Sequence, residues 1–141
     1  MIAERLKSAT FKHIEAELYA YPDTKKEIKK RREELMNTSE SDENVGAGKN
    51  SHRTPGQPTE RIATRLTMDK RLRNLEEIVE AIERVYEQVD EDHRKMMRIA
   101  YWSNRRLSWQ GIADECHVHM NTMTKMRRNV IQLVADKIGW I

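Results

Sequence analysis

Between Ser108 and Arg128 the chain reads Ser-Trp-Gln-Gly-Ile-Ala-Asp-Glu-Cys-His-Val-His-Met-Asn-Thr-Met-Thr-Lys-Met-Arg-Arg, a pattern that closes into two short helices joined by a tight turn. Helices that cross steeply need a small residue where they touch, and Ala113 supplies it. Ile112, Cys116, Val118, Met123 and Met126 recur at spacings of 4, 2, 5 and 3 and form the side expected to be buried. Leu107 and Ile112 bracket Ser108 as a hydrophobic staple around an N-cap, so the first helix starts near Trp109. His117-Val118 makes the turn. The second helix then exposes His119, Met120, Asn121, Thr124, Lys125 and Arg128 on one face. A helix-turn-helix presents its second helix to a DNA groove. These residue types suit base edges there: Arg pairs with guanine, Asn with adenine, and Thr or Met touches the thymine methyl. His117 stands where this pattern usually has Gly, and His119 where a capping Ser or Thr is usual.

Charge is segregated along the sequence. The whole chain carries 26 Lys and Arg against 23 Asp and Glu, a net charge of only +3. Residues 68 to 93 hold 4 basic and 9 acidic side chains, whereas residues 94 to 141 hold 9 basic and 3 acidic ones, a local balance of +6. Neutralising phosphates releases counterions and drives salt-dependent association, so an excess of this sign around the motif fits a DNA-facing module. Arg94, Lys95, Arg98, Arg105, Arg106 and Arg127 are the expected phosphate contacts.

Four segments are expected along the 141 residues. Residues 1–36 read as a helical arm, with Phe11, Ile14, Leu18 and Tyr21 on one face; Pro22 marks a kink or the start of a second helix. Beyond it, Ile28, Leu35 and Met36 are too few to bury much, so the arm needs a partner surface. Its basic run, Lys25 to Arg32, is interleaved with Glu and reads as a solvated helix. Residues 37–58 contain three of the five glycines and two of the three prolines and read as a flexible linker. Residues 59–89 hold a short helix capped by Thr59 and then a long amphipathic one from Met68 to Val89. In that helix Leu72, Leu75, Val79, Ile82, Tyr86 and Val89 alternate spacings of 3 and 4, which implies about 33 Å of helix. Ile78 and Val85 widen the stripe, which favours packing within the chain over a narrow two-stranded seam. Residues 90–141 complete the motif: Asp90 caps a helix with Met96, Met97, Ile99, Ala100, Tyr101 and Trp102 inward, and Gly139-Trp140 ends the last one. The fold class is all-α, with long N-terminal and central helical segments before the C-terminal helix-turn-helix.

Other chemistries find little support. Gly46-Ala47-Gly48-Lys49-Asn50 resembles a phosphate loop, but Glu43 replaces its first Gly and Asn50 the magnesium-binding Ser or Thr. Cys116, His117 and His119, with His93, are crowded ligand types without the paired spacing of a structural zinc, and Cys116 is expected to be buried. No nucleophile-base arrangement stands out, so neither an enzyme nor a cofactor is expected. No apolar run reaches the ~20 residues needed to span a bilayer, no signal-peptide core begins the chain, and the single Cys suits a reducing compartment. A cytoplasmic protein of a bacterial host cell is the expectation.

Several stretches together resemble the RinA-type phage transcriptional regulators: Thr10–Tyr21, Asp42–Gly48 with Pro58–Thr64, Arg71–Arg84, Tyr101-Trp102, Leu107–Ala113 and Gly139-Trp140. The resemblance covers nearly the whole chain and includes linker residues as well as helical ones. It implies a phage activator of late or packaging genes, with a C-terminal portion similar to the promoter-binding region 4 of sigma factors. Ser108–Glu115 would be the supporting helix and His119–Arg128 the recognition helix. His117, His119 and Met120 depart from the small or basic residues of that pattern, which bears on sequence preference. Expected partners are double-stranded DNA, host RNA polymerase and, through 68–89 or the N-terminal arm, a second copy of the chain; no membrane is expected. The alternative is a DNA-packaging protein similar to a small terminase subunit, which also joins a helix-turn-helix to an oligomerising helix.

Overall fold

The computed structural model describes residues 6–46, 65 and 69–140, and among them every regular element is helical. The α-helices are α1 (Ser8–Gly46), α2 (Lys70–Gln88), α3 (Glu91–Met97), α4 (Trp109–Glu115) and α5 (Met120–Ile138), with a π-helical turn, Arg98–Trp102, continuing α3. The all-α expectation therefore holds. The helix expected at Met68–Val89 begins two residues later, because Asp69 caps it: its Oδ1 accepts from the Leu72 amide at 2.7 Å. The short helix expected from Thr59 to Thr67 lies outside the described residues except for Arg65, which is helical.

The chain divides into two compact units, one made of residues up to Pro22 together with Glu77 onward, the other of Asp23–Glu76. In the first unit, Ile14 and Leu18 from α1 are fully buried with Ile82 and Val85 from α2, Met96 and Met97 from α3, and Met123, Val130, Ile131 and Val134 from α5. Each such aliphatic side chain contributes roughly 1.5–3 kcal/mol by leaving water. The first part of the expected arm thus finds its partner surface inside its own chain. The second unit is laced by charge: Arg31 pairs with Asp69 at 2.7 Å, Arg32 with Glu76 at 2.5 Å, and Arg71 with Glu27. Thr24 and Leu72 are buried in it.

Two local departures from expectation have physical causes. Residues 37–46, expected to open the linker, are helical, and 47–58 lie outside the described residues. Extending an existing helix gains one backbone hydrogen bond for each residue fixed, so weak helix formers can be carried to Gly46. Pro22, for its part, neither ends α1 nor starts a new helix. Proline has no N–H, which leaves the carbonyl four residues earlier without its helical donor. That carbonyl belongs to Leu18, and the Trp102 indole N–H donates to it at 2.9 Å. The Trp102 ring also packs against Tyr21 and Tyr86, with centroids 5.0 and 5.7 Å away.

The last turn of α5 closes as expected. Gly139 takes φ +89°, its amide donates to the Asp136 carbonyl at 3.2 Å, and the Trp140 amide donates to Ala135 at 2.9 Å. These are the paired bonds of a Schellman cap, and Gly tolerates the left-handed residue they need.

The Pro22–Trp102 arrangement is testable. Trp102→Phe keeps an aromatic ring but strands the Leu18 carbonyl, at a cost of about 1–3 kcal/mol. In a Pro22→Ala background the new amide supplies the missing donor, so the same change should cost about 1 kcal/mol less. Chemical denaturation of the four proteins measures the difference; equal costs in both backgrounds would contradict the account.

Candidate nucleic-acid interface

The site is built from α4, the turn after it and the first half of α5. Ser108 is extended, and its Oγ accepts from the Gly111 amide at 3.1 Å, giving one of the four free donors of a helix start a partner. Leu107 and Ile112 both pack on the core and fix the entry of the chain. A Cβ at Gly111 would meet Ser108 and Leu107 at ordinary contact distance, so nothing in the packing demands a glycine there.

The turn is a second Schellman closure. The His117 amide donates to Asp114 at 3.1 Å and the Val118 amide to Ala113 at 3.0 Å, with His117 at φ +57°. His117 thus occupies the left-handed position that glycine usually fills, and Val118 supplies the apolar contact beside it. His119 then caps α5: its Nδ1 accepts from the Asn121 amide at 3.1 Å. A ring nitrogen that accepts carries no proton, so the Nε2–H is the donor that His119 has left to offer. Both histidines that departed from the usual pattern do the work of the residues they replace.

Along α5, Met123, Met126, Val130, Ile131, Val134 and Ala135 are buried. Asn121, Thr124, Lys125 and Arg128 are exposed, and their spacing places them in one stripe on the opposite side. Thr124 is exposed and spends its hydroxyl proton on the Met120 carbonyl at 3.0 Å, which leaves the hydroxyl oxygen able only to accept. His119 is exposed at the head of this stripe. Met120 departs from expectation, because it is half-buried and leans on the core.

The expected phosphate contacts separate into two groups. Arg94 closes the end of α2, donating from Nε to the Tyr86 carbonyl and from a terminal nitrogen to Glu87, each at 2.7 Å. That is where a helix end favours a cation. Arg98 bonds the Tyr86 hydroxyl and Glu91, both at 2.6 Å, and Arg105 bonds Glu115 at 2.5 Å. These contacts raise the Arg98 and Arg105 guanidinium pKa values and lower those of Glu91 and Glu115. Exposed pairs of this kind contribute little to stability. Arg127 is held most firmly, by a two-pronged ion pair to Glu15 of α1, and it does not join the exposed stripe. Lys95 and Arg106, like Lys125 and Arg128, make no ion pair among the described residues.

Sequence reasoning missed the Glu15 contact, because a lone Glu on a helix gives no signal of a partner 112 residues away. Cys116, expected to be buried, is only partly so; burial still pushes its thiol pKa upward. Among the described residues no group of three or more His, Cys, Asp or Glu is placed to hold a metal ion, and no helix is long and apolar enough to cross a membrane.

The left-handed backbone at His117 yields a direct expectation. His117→Gly should stabilise the protein by roughly 0.5–1 kcal/mol, since Gly adopts this conformation without a Cβ penalty. A lowered melting temperature would contradict that reading of the turn. Among known proteins, no curated protein and no solved structure matches the chain. The family model described as "Protein of unknown function (DUF722)" matches residues 13–136. The chain therefore belongs to the DUF722 family.

Proposed function

We propose that this protein is a sequence-specific DNA-binding transcription regulator that lays the first half of α5 in the major groove. The observation that carries the reading is the exposed stripe Asn121, Thr124, Lys125 and Arg128, backed by buried Met123 and Met126 and headed by the His119 cap. The major groove displays a distinct donor and acceptor pattern for each base pair. Arg128 and Asn121 suit guanine and adenine, Lys125 offers three donors, and a threonine methyl suits thymine.

Lys95 and Arg106 are the cations best fitted to phosphates, since Arg94, Arg98, Arg105 and Arg127 are already engaged within the protein. An engaged arginine must break its present contact before it grips a phosphate. The +6 balance of residues 94 to 141 supports the same partner. The resemblance to RinA-type regulators supports a phage activator of late or packaging genes, acting with RNA polymerase at a promoter.

Selection of duplexes from a random-sequence pool by the full chain, followed by gel-shift titration, tests this reading. The Lys125→Ala/Arg128→Ala variant should lose specific binding, each base contact being worth roughly 1–3 kcal/mol, and should keep its helical circular dichroism. Undiminished binding by a folded double variant would defeat the assignment. Lys95→Ala/Arg106→Ala should weaken binding to all sequences alike and flatten the log–log salt dependence by about two charges. An unchanged salt slope would remove both from the contact set.

A further inference from the structure

The Glu15–Arg127 pair carries an inference that rests on the DNA reading above and deepens it. Arg127 follows the buried Met126 and immediately precedes Arg128 of the exposed stripe. Its Nε donates to Glu15 Oε2 at 2.7 Å and a terminal nitrogen to Oε1 at 2.5 Å, so both oxygens of one carboxylate are engaged. Its guanidinium lies 4.4 Å from the Trp109 ring centroid on α4 and 5.2 Å from that of Phe11 on α1. Tyr101, in the π-helical turn, donates its hydroxyl to Glu15 Oε2 at 2.9 Å. The Glu15 side chain is only 13% exposed and that of Arg127 30%. Groups from four elements therefore meet on one guanidinium–carboxylate pair.

Beyond this pair, α5 is seated largely by apolar, non-directional contacts, with a long Asn129–His93 side-chain contact at 3.4 Å farther along the helix. Met123 and Met126, with unbranched, adaptable side chains, hold the helix at its depth but tolerate rotation about its axis. A two-pronged Arg–carboxylate pair is directional, because two parallel bonds fix the plane of both groups. A rotation of roughly 20° would carry a side-chain tip, about 5–6 Å from the axis, through about 2 Å, well beyond the ~0.5 Å that a recognition geometry tolerates.

We propose that Glu15 is a positioning residue: through Arg127 it sets the rotation of α5 and hence the aim of the Asn121–Arg128 stripe, making the N-terminal helix part of the DNA-reading unit. Glu15 itself makes no contact with DNA in this scheme. Its effect is on discrimination between sequences.

The test uses the full chain with Glu15→Ala and Glu15→Gln, the selected duplex, and a mixed-sequence duplex of equal length. Affinities for both duplexes and their salt slopes are measured. A purely structural role reduces the folded fraction and scales both affinities together, leaving their ratio unchanged. Positioning predicts that the selected-to-mixed affinity ratio falls on the order of tenfold in Glu15→Ala. Glu15→Gln, which keeps one acceptor oxygen, should fall between that variant and the wild type, with the salt slope unaltered in both. Should Glu15→Ala fail to fold, Glu15→Gln carries the test alone. An unchanged ratio in a folded variant overturns the positioning role while leaving the DNA reading in place. If the wild type discriminates among no duplexes, the DNA reading fails instead, and amide exchange of residues 119–128 without DNA decides the positioning role. Faster exchange in Glu15→Gln than in wild type would support it, and identical exchange would overturn it.

Discussion

The carboxylate of Glu15 is the point on which the first compact unit is organised. It accepts from Arg127 of α5 and Tyr101 of the π-helical turn, and it does so from α1, whose Ile14 and Leu18 are buried in the same core. Removing one partner from a partly buried ion pair leaves the other charge without compensation, which is costly even where the intact pair adds little net stability. The cluster is enclosed: Tyr101 is buried, and that burial first, with the Glu15 charge next, pushes its hydroxyl pKa upward. With this pair in place, the apolar side of α5 meets α1 through the core and its polar stripe is left to solvent.

The same economy appears where the backbone is irregular. Pro22 would leave an unpaired carbonyl inside α1, and the Trp102 indole supplies the donor. His117 accepts a left-handed backbone in order to complete the Schellman bonds of α4, and His119 uses a ring nitrogen where a hydroxyl is usual. In each case a backbone hydrogen-bonding requirement, rather than side-chain preference, explains an unusual residue. The turn that separates α4 from α5 is therefore closed by directional bonds on both sides.

Much of this was legible in the sequence, and the reason is periodicity. The 3-and-4 spacing of α2, the Ser108 cap, the Leu107–Ile112 staple and the Gly139 closure are local patterns, and local patterns can be read from neighbouring residues. The exposed stripe of α5 follows from the same arithmetic. What could not be read was which cations were already occupied. Arg94, Arg98, Arg105 and Arg127 all count as positive charge in a composition, yet each is committed to a carbonyl, hydroxyl or carboxylate that only the folded chain brings near. Met120 fell on the expected outer face but leans inward, because the first residue of a helix sits close to the turn that precedes it. The helical continuation to Gly46 was hidden for a different reason: Asn, Thr, Ser and Gly signal a loop, while the preceding helix supplies the nucleus that lets the structure propagate.

The central claim is that the outer side of α5's first half meets double-stranded DNA. Titrating the isotopically labelled full chain with a selected duplex and following its backbone amide resonances tests this without altering any residue. The account predicts the largest shifts at residues 119–128, with those of α2 little changed. Shifts confined to the acidic surface of α2, or a spectrum unmoved by any duplex at low salt, would contradict it.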